Sequence, residues 1–279
     1  MRTEMATGAF TKGIETISKM GKGLFLEFFK VYAVGTLFIL FGVGVAALGM
    51  YFATGSTWAI ITITIAVALA VMLITMGIMT VPMNIVDEKL SRAPVLGIIG
   101  NMKRNLLPAI AFYVIMMAII ILFGYVPLFI AMKINGVAII AGYIWYCAFV
   151  FLFSFLVQFG IYELVVARSG VLGSFRKCYD IVKKNFWETL IYYIGMFGIS
   201  FVAAIVLMVV AAALFIIPAI MGIVVAGAAN SQALNIFLMI IGVLYGAALY
   251  IAYMAGMQAI VLPIQYHYWK AAREASGKG

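Results

Sequence analysis

Long apolar runs alternate along the chain with short polar or charged interruptions. The runs extend over 28–53, 57–83, 107–132, 137–166, 189–228 and 233–263. Each is long enough to cross the roughly 30 Å hydrocarbon core of a bilayer, for which about 20 helical residues suffice. They group into three hairpins whose turns are short and polar or glycine-bearing: Thr54-Gly55-Ser56, Lys133-Ile134-Asn135-Gly136 and Asn230-Ser231-Gln232. The connectors between hairpins are longer and charged. The expected architecture is therefore an all-α membrane protein of six transmembrane helices arranged as three hairpins, each preceded by an amphipathic interfacial helix, in a single integral membrane domain spanning 1–279.

The segments ahead of the hairpins carry helical spacing of apolar positions. In the first, Phe10, Ile14, Ile17 and Leu24 share a face that excludes Lys12, Glu15, Lys19 and Lys22. In the third, Leu172, Phe175, Tyr179, Val182 and Phe186 form a stripe opposite Arg176, Lys177, Asp180, Lys183 and Lys184. The second is shorter, with Ile98, Ile99 and Met102 followed by Lys103 and Arg104. Lys103-Arg104-Asn105 precedes Tyr113 by the spacing at which Lys183-Lys184-Asn185 precedes Tyr193, which predicts one unit used three times over 1–84, 85–167 and 168–279. Such segments are expected in the headgroup region, with the apolar face down and long cations snorkelling toward lipid phosphate.

The fifth apolar run is too long for one crossing, because about 40 helical residues reach about 60 Å. Proline removes a helix hydrogen bond and crowds the preceding turn, so Pro218 is the expected break. A span from about 189 to 216 followed by a segment Ala219 to Ala229, surface-lying or folded back, is one expectation; a long kinked helix is the other.

Composition removes the soluble alternatives. With 67% hydrophobic and only 10% charged residues, the chain has too little polar surface for a large water-soluble domain. The net charge of +9 is one-sided: of the 18 lysines and arginines, only Lys133 falls in a turn between the two spans of a hairpin. The positive-inside rule then places both termini and the two long connectors in the cytoplasm, in a multi-pass protein of the cell membrane. The partners this implies are membrane lipids of the anionic inner leaflet, and a protein partner or second copy of the chain, rather than nucleic acid. Lys12, Lys19, Lys103, Arg104, Arg176, Lys177, Lys183 and Lys184 are the candidate contacts.

Reactive chemistry is sparse. Cys147 and Cys178 fall at different depths, which argues against a disulfide, and His267 stands alone beside Tyr266, Tyr268 and Trp269 as an interfacial side chain. Asp87, Glu88 and Glu163 lie in separate segments. No catalytic constellation, cofactor motif or metal-ligand spacing emerges, and the chain reads as a non-enzyme with no cofactor. Glu163 lies five positions before Arg168, as a structural pair or a polar gate. Gln158, Gln258, Ser154 and Ser200 are expected as interhelical glue, Gly242 and Gly246 as a close-packing face, and the aromatics from Tyr143 to Tyr162 mainly as lipid-facing packing.

One stretch resembles a known pattern. Glu163-Leu164-Val165-Val166, then Gly170-Val171, then Ser174-Phe175-Arg176-Lys177-Cys178-Tyr179-Asp180-Ile181, then Lys184-Asn185-Phe186-Trp187 is similar to the membrane domain of glycerophosphoryl diester phosphodiesterases and related uncharacterised six-helix membrane proteins. Pro82 to Asp87 resembles a second copy of the span ending. The resemblance implies a six-helix integral membrane fold and carries no activity, because the phosphodiesterase catalytic residues belong to a separate soluble barrel. Two functions follow as expectations: a non-catalytic scaffold, assembly or lipid-organising component with a basic cytoplasmic face, or a permease or exporter for a lipid-like or apolar solute.

Overall fold

The computed structural model describes residues 4–52, 56–91, 97–134, 136–228 and 232–277, in part as backbone only along 46–52, 68–73 and 211–244. Thr54-Gly55, Asn135 and Asn230-Ser231 of the expected turns, and the cations Arg2, Arg92 and Lys278, lie outside the described residues. Regular structure among the described residues is entirely helical: α1 (Glu4–Phe52), α2 (Thr57–Ser91), α3 (Ile98–Ile119), a π-helical turn (Ile120–Tyr125), α4 (Val126–Ala131), α5 (Gly136–Val157), α6 (Gly160–Val165), α7 (Val171–Lys184), α8 (Phe186–Ala228) and α9 (Gln232–Gly277).

Six stretches are long and apolar enough to cross a membrane: Glu4–Val45, Thr57–Ser91, Ile98–Ala131, Gly136–Val165, Phe186–Val210 and Tyr245–Gly277. Large apolar side chains on them point outward, with Phe41 73% and Phe197 70% exposed, a surface that lipid solvates and water does not. The protein is an all-helical, multi-pass membrane protein.

Several elements differ from expectation. The amphipathic start of the chain is not a separate helix, since α1 runs unbroken for 49 residues through Lys12 and Lys19 into the first apolar run. Neither proline nor a capping pair interrupts it. The second amphipathic segment is likewise the opening of α3. Only the third stands apart, because Asn185 leaves helical geometry at φ −118° and ψ 36°. The fifth run passes through Pro218 as one helix of 43 residues, which favours the continuous alternative over a broken one. A break appears instead at Gln158-Phe159, between α5 and α6.

The chain forms two compact units. One comprises Met1–Ala9, Thr75–Tyr193 and Tyr266–Gly279; the other comprises Phe10–Ile74 and Ile194–Gln265. In the second unit, Gly13 permits close approach, since a Cβ there would lie 2.8 Å from the Ile264 backbone, and a Cβ on Gly195 would lie 2.7 Å from the Phe10 ring. Gly242 and Gly246, expected at a tight face, have no atom of the described residues within 4 Å of that position.

The first unit contains the aromatic hairpin of α3, α4 and α5. Pro127 brings no N–H to the helix, depriving the Phe123 carbonyl four residues earlier of its α-helical donor. The Trp145 indole Nε1 donates to that carbonyl across the hairpin at 2.8 Å. Around it, Phe149 stacks on Trp145 and Phe153, Tyr146 meets Tyr125 edge-on, and Gly124 is pressed against the Tyr146 and Phe149 rings. Hydrocarbon offers the carbonyl no replacement partner. Trp145→Phe should therefore destabilise the protein in detergent by about 1–2 kcal/mol. The loss should shrink when Pro127→Ala restores a backbone donor, a coupling measurable by a double-mutant cycle of unfolding free energies.

Candidate functional site: a buried carboxylate beneath a basic helix

The site begins where α5 ends. Gly160 opens α6 against Phe112, whose ring lies 2.5 Å from the position a Cβ would take, so only glycine allows this approach. Phe112 in turn stacks on Phe175 of α7 at 4.4 Å. The chain's departure from α5 is matched by a contact from α7: the Leu156 carbonyl accepts the Cys178 thiol at 2.8 Å. Burial pushes that thiol up from its ordinary value near 9 to about 12. Ser174, Cys178, Ile181 and Val182 form the packed face of α7.

α6 carries Glu163 into the interior with no solvent exposure. Burying a carboxylate is costly unless donors and an opposite charge meet it. Trp269 Nε1 donates to its Oε1 at 3.0 Å, Arg273 Nε pairs with the same oxygen at 3.0 Å, and Ser169 Oγ donates to Oε2 at 2.9 Å. Ser169 also accepts Lys177 Nζ at 3.1 Å, so a second cation reaches the carboxylate through a hydroxyl. Beside this cluster Lys184 Nζ donates to the Ser276 carbonyl at 2.6 Å. Glu163, Lys177, Asp180, Lys184, Arg273 and Ser276 border a cavity of about 310 Å³.

Beneath the carboxylate lies an aromatic stack. Tyr162 stacks on Trp269, Phe159 on Tyr268, and Tyr268 on Tyr192 at 4.0 Å, while the Arg273 guanidinium lies over the Trp269 indole, 5.6 Å from its centroid. Tyr268 and Thr189 share a hydroxyl hydrogen bond of 2.9 Å. The inner aromatics of the fourth span thus form protein core, whereas Tyr143, Trp145 and Phe151 remain outward as expected. His267 lies edge-on to Tyr266, whose hydroxyl donates to Asp87.

A second polar cluster joins α2 and α3. Asn101 Nδ2 donates to Glu88 Oε1 at 3.1 Å, and Arg104 Nη2 donates to Asn101 Oδ1 at 2.8 Å. Arg104, Asn105, Pro108, Leu164, Val165, Arg168 and Gly170 surround a separate cavity of about 270 Å³.

Glu163 and Arg168 do not form the pair that their spacing suggested. The helix ends at Val165, and Arg168 turns in the left-handed region at φ 53°, followed by Gly170 at φ 71°. That reversal leaves the ion pair to Arg273, distant in sequence, and puts Arg168 on the cavity shared with Arg104. Of the basic candidates, Lys177 and Lys184 reach the Glu163 cavity, Arg176 and Lys183 stay exposed on α7, and Lys103 is exposed on α3. Lys12 and Lys19 belong to the other unit, with Lys19 paired to Glu15 at 2.6 Å. Sequence reasoning counted Arg273 only among the basic residues outside the turns and Trp269 only as a neighbour of His267. Gln158, expected as glue, has its amide nitrogen buried without an acceptor among the described residues. Among those residues no cluster of His, Cys, Asp and Glu is suited to a metal ion.

With its oxygens taken by Trp269, Arg273 and Ser169, Glu163 acts as a tie between α6, the α6–α7 turn and the end of α9, not as a base poised toward the cavity. Arg273 is 41% exposed, so solvent discounts its share, and Glu163→Gln should lower unfolding free energy by about 1–2 kcal/mol. Arg273→Lys should recover less than the wild-type value, because a point charge does not reproduce the planar donor over Trp269. Cys178 favours its neutral form when folded. Its contribution is whole below pH 9 and is lost as pH climbs toward 12. At pH 8 a water-soluble maleimide should leave Cys178 unmodified in folded protein and label it after denaturation.

No curated protein and no solved structure matches the chain. A family model does, over residues 102–270, a stretch that includes Glu163, Ser169, all of α7 and Trp269 and stops before Arg273. The chain accordingly belongs to DUF7544, a family of unknown function.

Proposed function

We propose that this protein is a non-catalytic component of the cell membrane, a scaffold, assembly or lipid-organising protein whose termini and basic connectors face the cytoplasm. The observation that carries this reading is the three-sided character of α7. One side packs on protein through Ser174, Cys178, Ile181 and Val182. A second is exposed, with Leu172 76% and Tyr179 50% exposed and the exposed cations Arg176 and Lys183 one helical turn on from them on the same side. On the third, exposed Lys177 and Lys184 flank the packed side and donate to Ser169 and the Ser276 carbonyl.

A helix fixed at one side, with apolar side chains and long cations together on the opposite side, suits the lipid headgroup layer, where the apolar groups meet acyl chains and the cations snorkel to phosphate. In this reading α7 is an interfacial helix. The amphipathic opening of α3, with Lys103 and Arg104, adds to the basic character of this unit, and Lys12 and Lys19 on α1 belong to the same reading within the other unit. The neutralised Glu163 favours a structural over a catalytic role. The reading also fits the resemblance of residues 163–187 to the membrane domains of glycerophosphoryl diester phosphodiesterases.

A permease for a lipid-like solute is the second reading. Its support is the π-helical turn at Ile120–Tyr125 ahead of Pro127, since such turns are frequent at functional sites.

The test replaces Arg176, Lys177, Lys183 and Lys184 together by glutamine and compares lipids co-purified with each protein. Each cation near an anionic surface is worth about 1 kcal/mol at low salt, so enrichment of phosphatidylglycerol over phosphatidylcholine should fall several-fold. If neither lipid enrichment nor the set of co-purified proteins changes, the reading fails.

A further inference from the structure

We propose that the cavity between α3, α6 and the turn into α7 is a binding site for the phosphate of an anionic phospholipid, gripped by Arg104 and Arg168. This rests on the lipid-facing reading above and deepens it from a diffuse charged face to a single defined site. Two arginines border this cavity, and none of the other described residues lining it is acidic. Two like charges bordering one small space attract an anion to lie between them, and the planar donors of arginine match the oxygens of phosphate in pairs.

Arg104 is preset for such a role. Its Nη2 is held by Asn101 and its Nε contacts Asn105 at 3.4 Å, both of them neutral amides. Glu88 bonds to Asn101 and not to the guanidinium, so orientation is supplied without direct neutralisation. Arg168 contributes an independent sign. It is the single non-glycine residue at positive φ among the described residues, a conformation that disfavours side chains and clusters at ligand sites. No hydrogen bond or ion pair ties its side chain to any described residue.

The remaining walls argue for a lipid over a free ion. Pro108, Leu164 and Val165 make most of the cavity surface apolar, and next to them Leu107 is 76% exposed on α3. A phosphodiester on the arginines would leave its glycerol and acyl carbons against these residues, inside the layer where α3 enters the membrane.

The test uses the full chain in zwitterionic detergent, titrated with phosphatidylglycerol and, in a parallel arm, with inorganic phosphate. Bound lipid is counted by native mass spectrometry, and phosphate binding by the shift in thermal unfolding. Wild type should hold one tight phosphatidylglycerol. Arg168→Gln should weaken it about tenfold, and Arg104→Gln with Arg168→Gln should abolish it. Arg168→Gly removes the charge while suiting the backbone, so it should fold at least as well as wild type and still lose the lipid.

Lys103→Gln, beside the cavity but not lining it, should bind as wild type does. Should inorganic phosphate bind with the same arginine dependence while the lipid does not, the site takes a soluble phosphate. Unchanged affinity of both arginine 168 variants for both ligands, or equal weakening by Lys103→Gln, overturns the proposal. The glutamine variant of the four α7 cations separates the two readings: it should lose diffuse enrichment and keep the single tight lipid.

Discussion

A carboxylate taken out of water must be met by donors, and Glu163 meets three of them, one from the adjoining turn and two from a distant part of the chain. Trp269 lies 106 residues away, yet its indole and the Arg273 guanidinium end on one oxygen, while Ser169 holds the other. The short helix α6, the left-handed turn at Arg168 and the end of α9 are fixed together by this one group. The lining of both cavities depends on that junction. A partner removed from such a cluster leaves a buried polar group unmatched, which costs more than the bond itself contributes.

Lipid sets the complementary constraint. Spans with outward Phe41 and Phe197 have no gain from hiding every apolar residue inside, because acyl chains solvate them as well as protein does. Side-chain specificity is therefore concentrated where polar groups must be satisfied and where rings interlock, as in the Tyr162, Trp269 and Phe159, Tyr268, Tyr192 stacks. Glycine contributes by closeness: Gly160 lets Phe112 approach α6, and Phe112 carries the contact on to Phe175 of α7.

The six stretches able to cross a membrane were legible in the sequence because length and hydropathy are local properties. Helix continuity was less so. The start of α1 carries the same amphipathic spacing as α7, but nothing in it stops the helix, while Asn185 does so after α7. Pro218 allowed either a break or a continuous kinked helix and lies within α8, whereas the interruption at Gln158-Phe159 falls where Gly160 must meet Phe112, a contact invisible in the run itself. The candidate site was half legible. Glu163 stood out as a carboxylate at a span end, but its partner was assigned by proximity to Arg168, and local spacing carries no information about a reversal at φ 53°. Arg273 and Trp269 had no distinguishing neighbour, since their significance comes only from the packing of α9 on α6.

The bond from Trp145 to the Phe123 carbonyl carries a mechanical meaning as well. Two smooth apolar helices in hydrocarbon can slide past each other by a turn with little penalty. A proline that uncovers one oxygen, and a single indole on the facing helix that reaches it, act as a detent: one axial offset satisfies both and its neighbours do not. The hairpin of α3, α4 and α5 is thereby indexed in depth, and whatever the end opposite its turn presents is presented at one height.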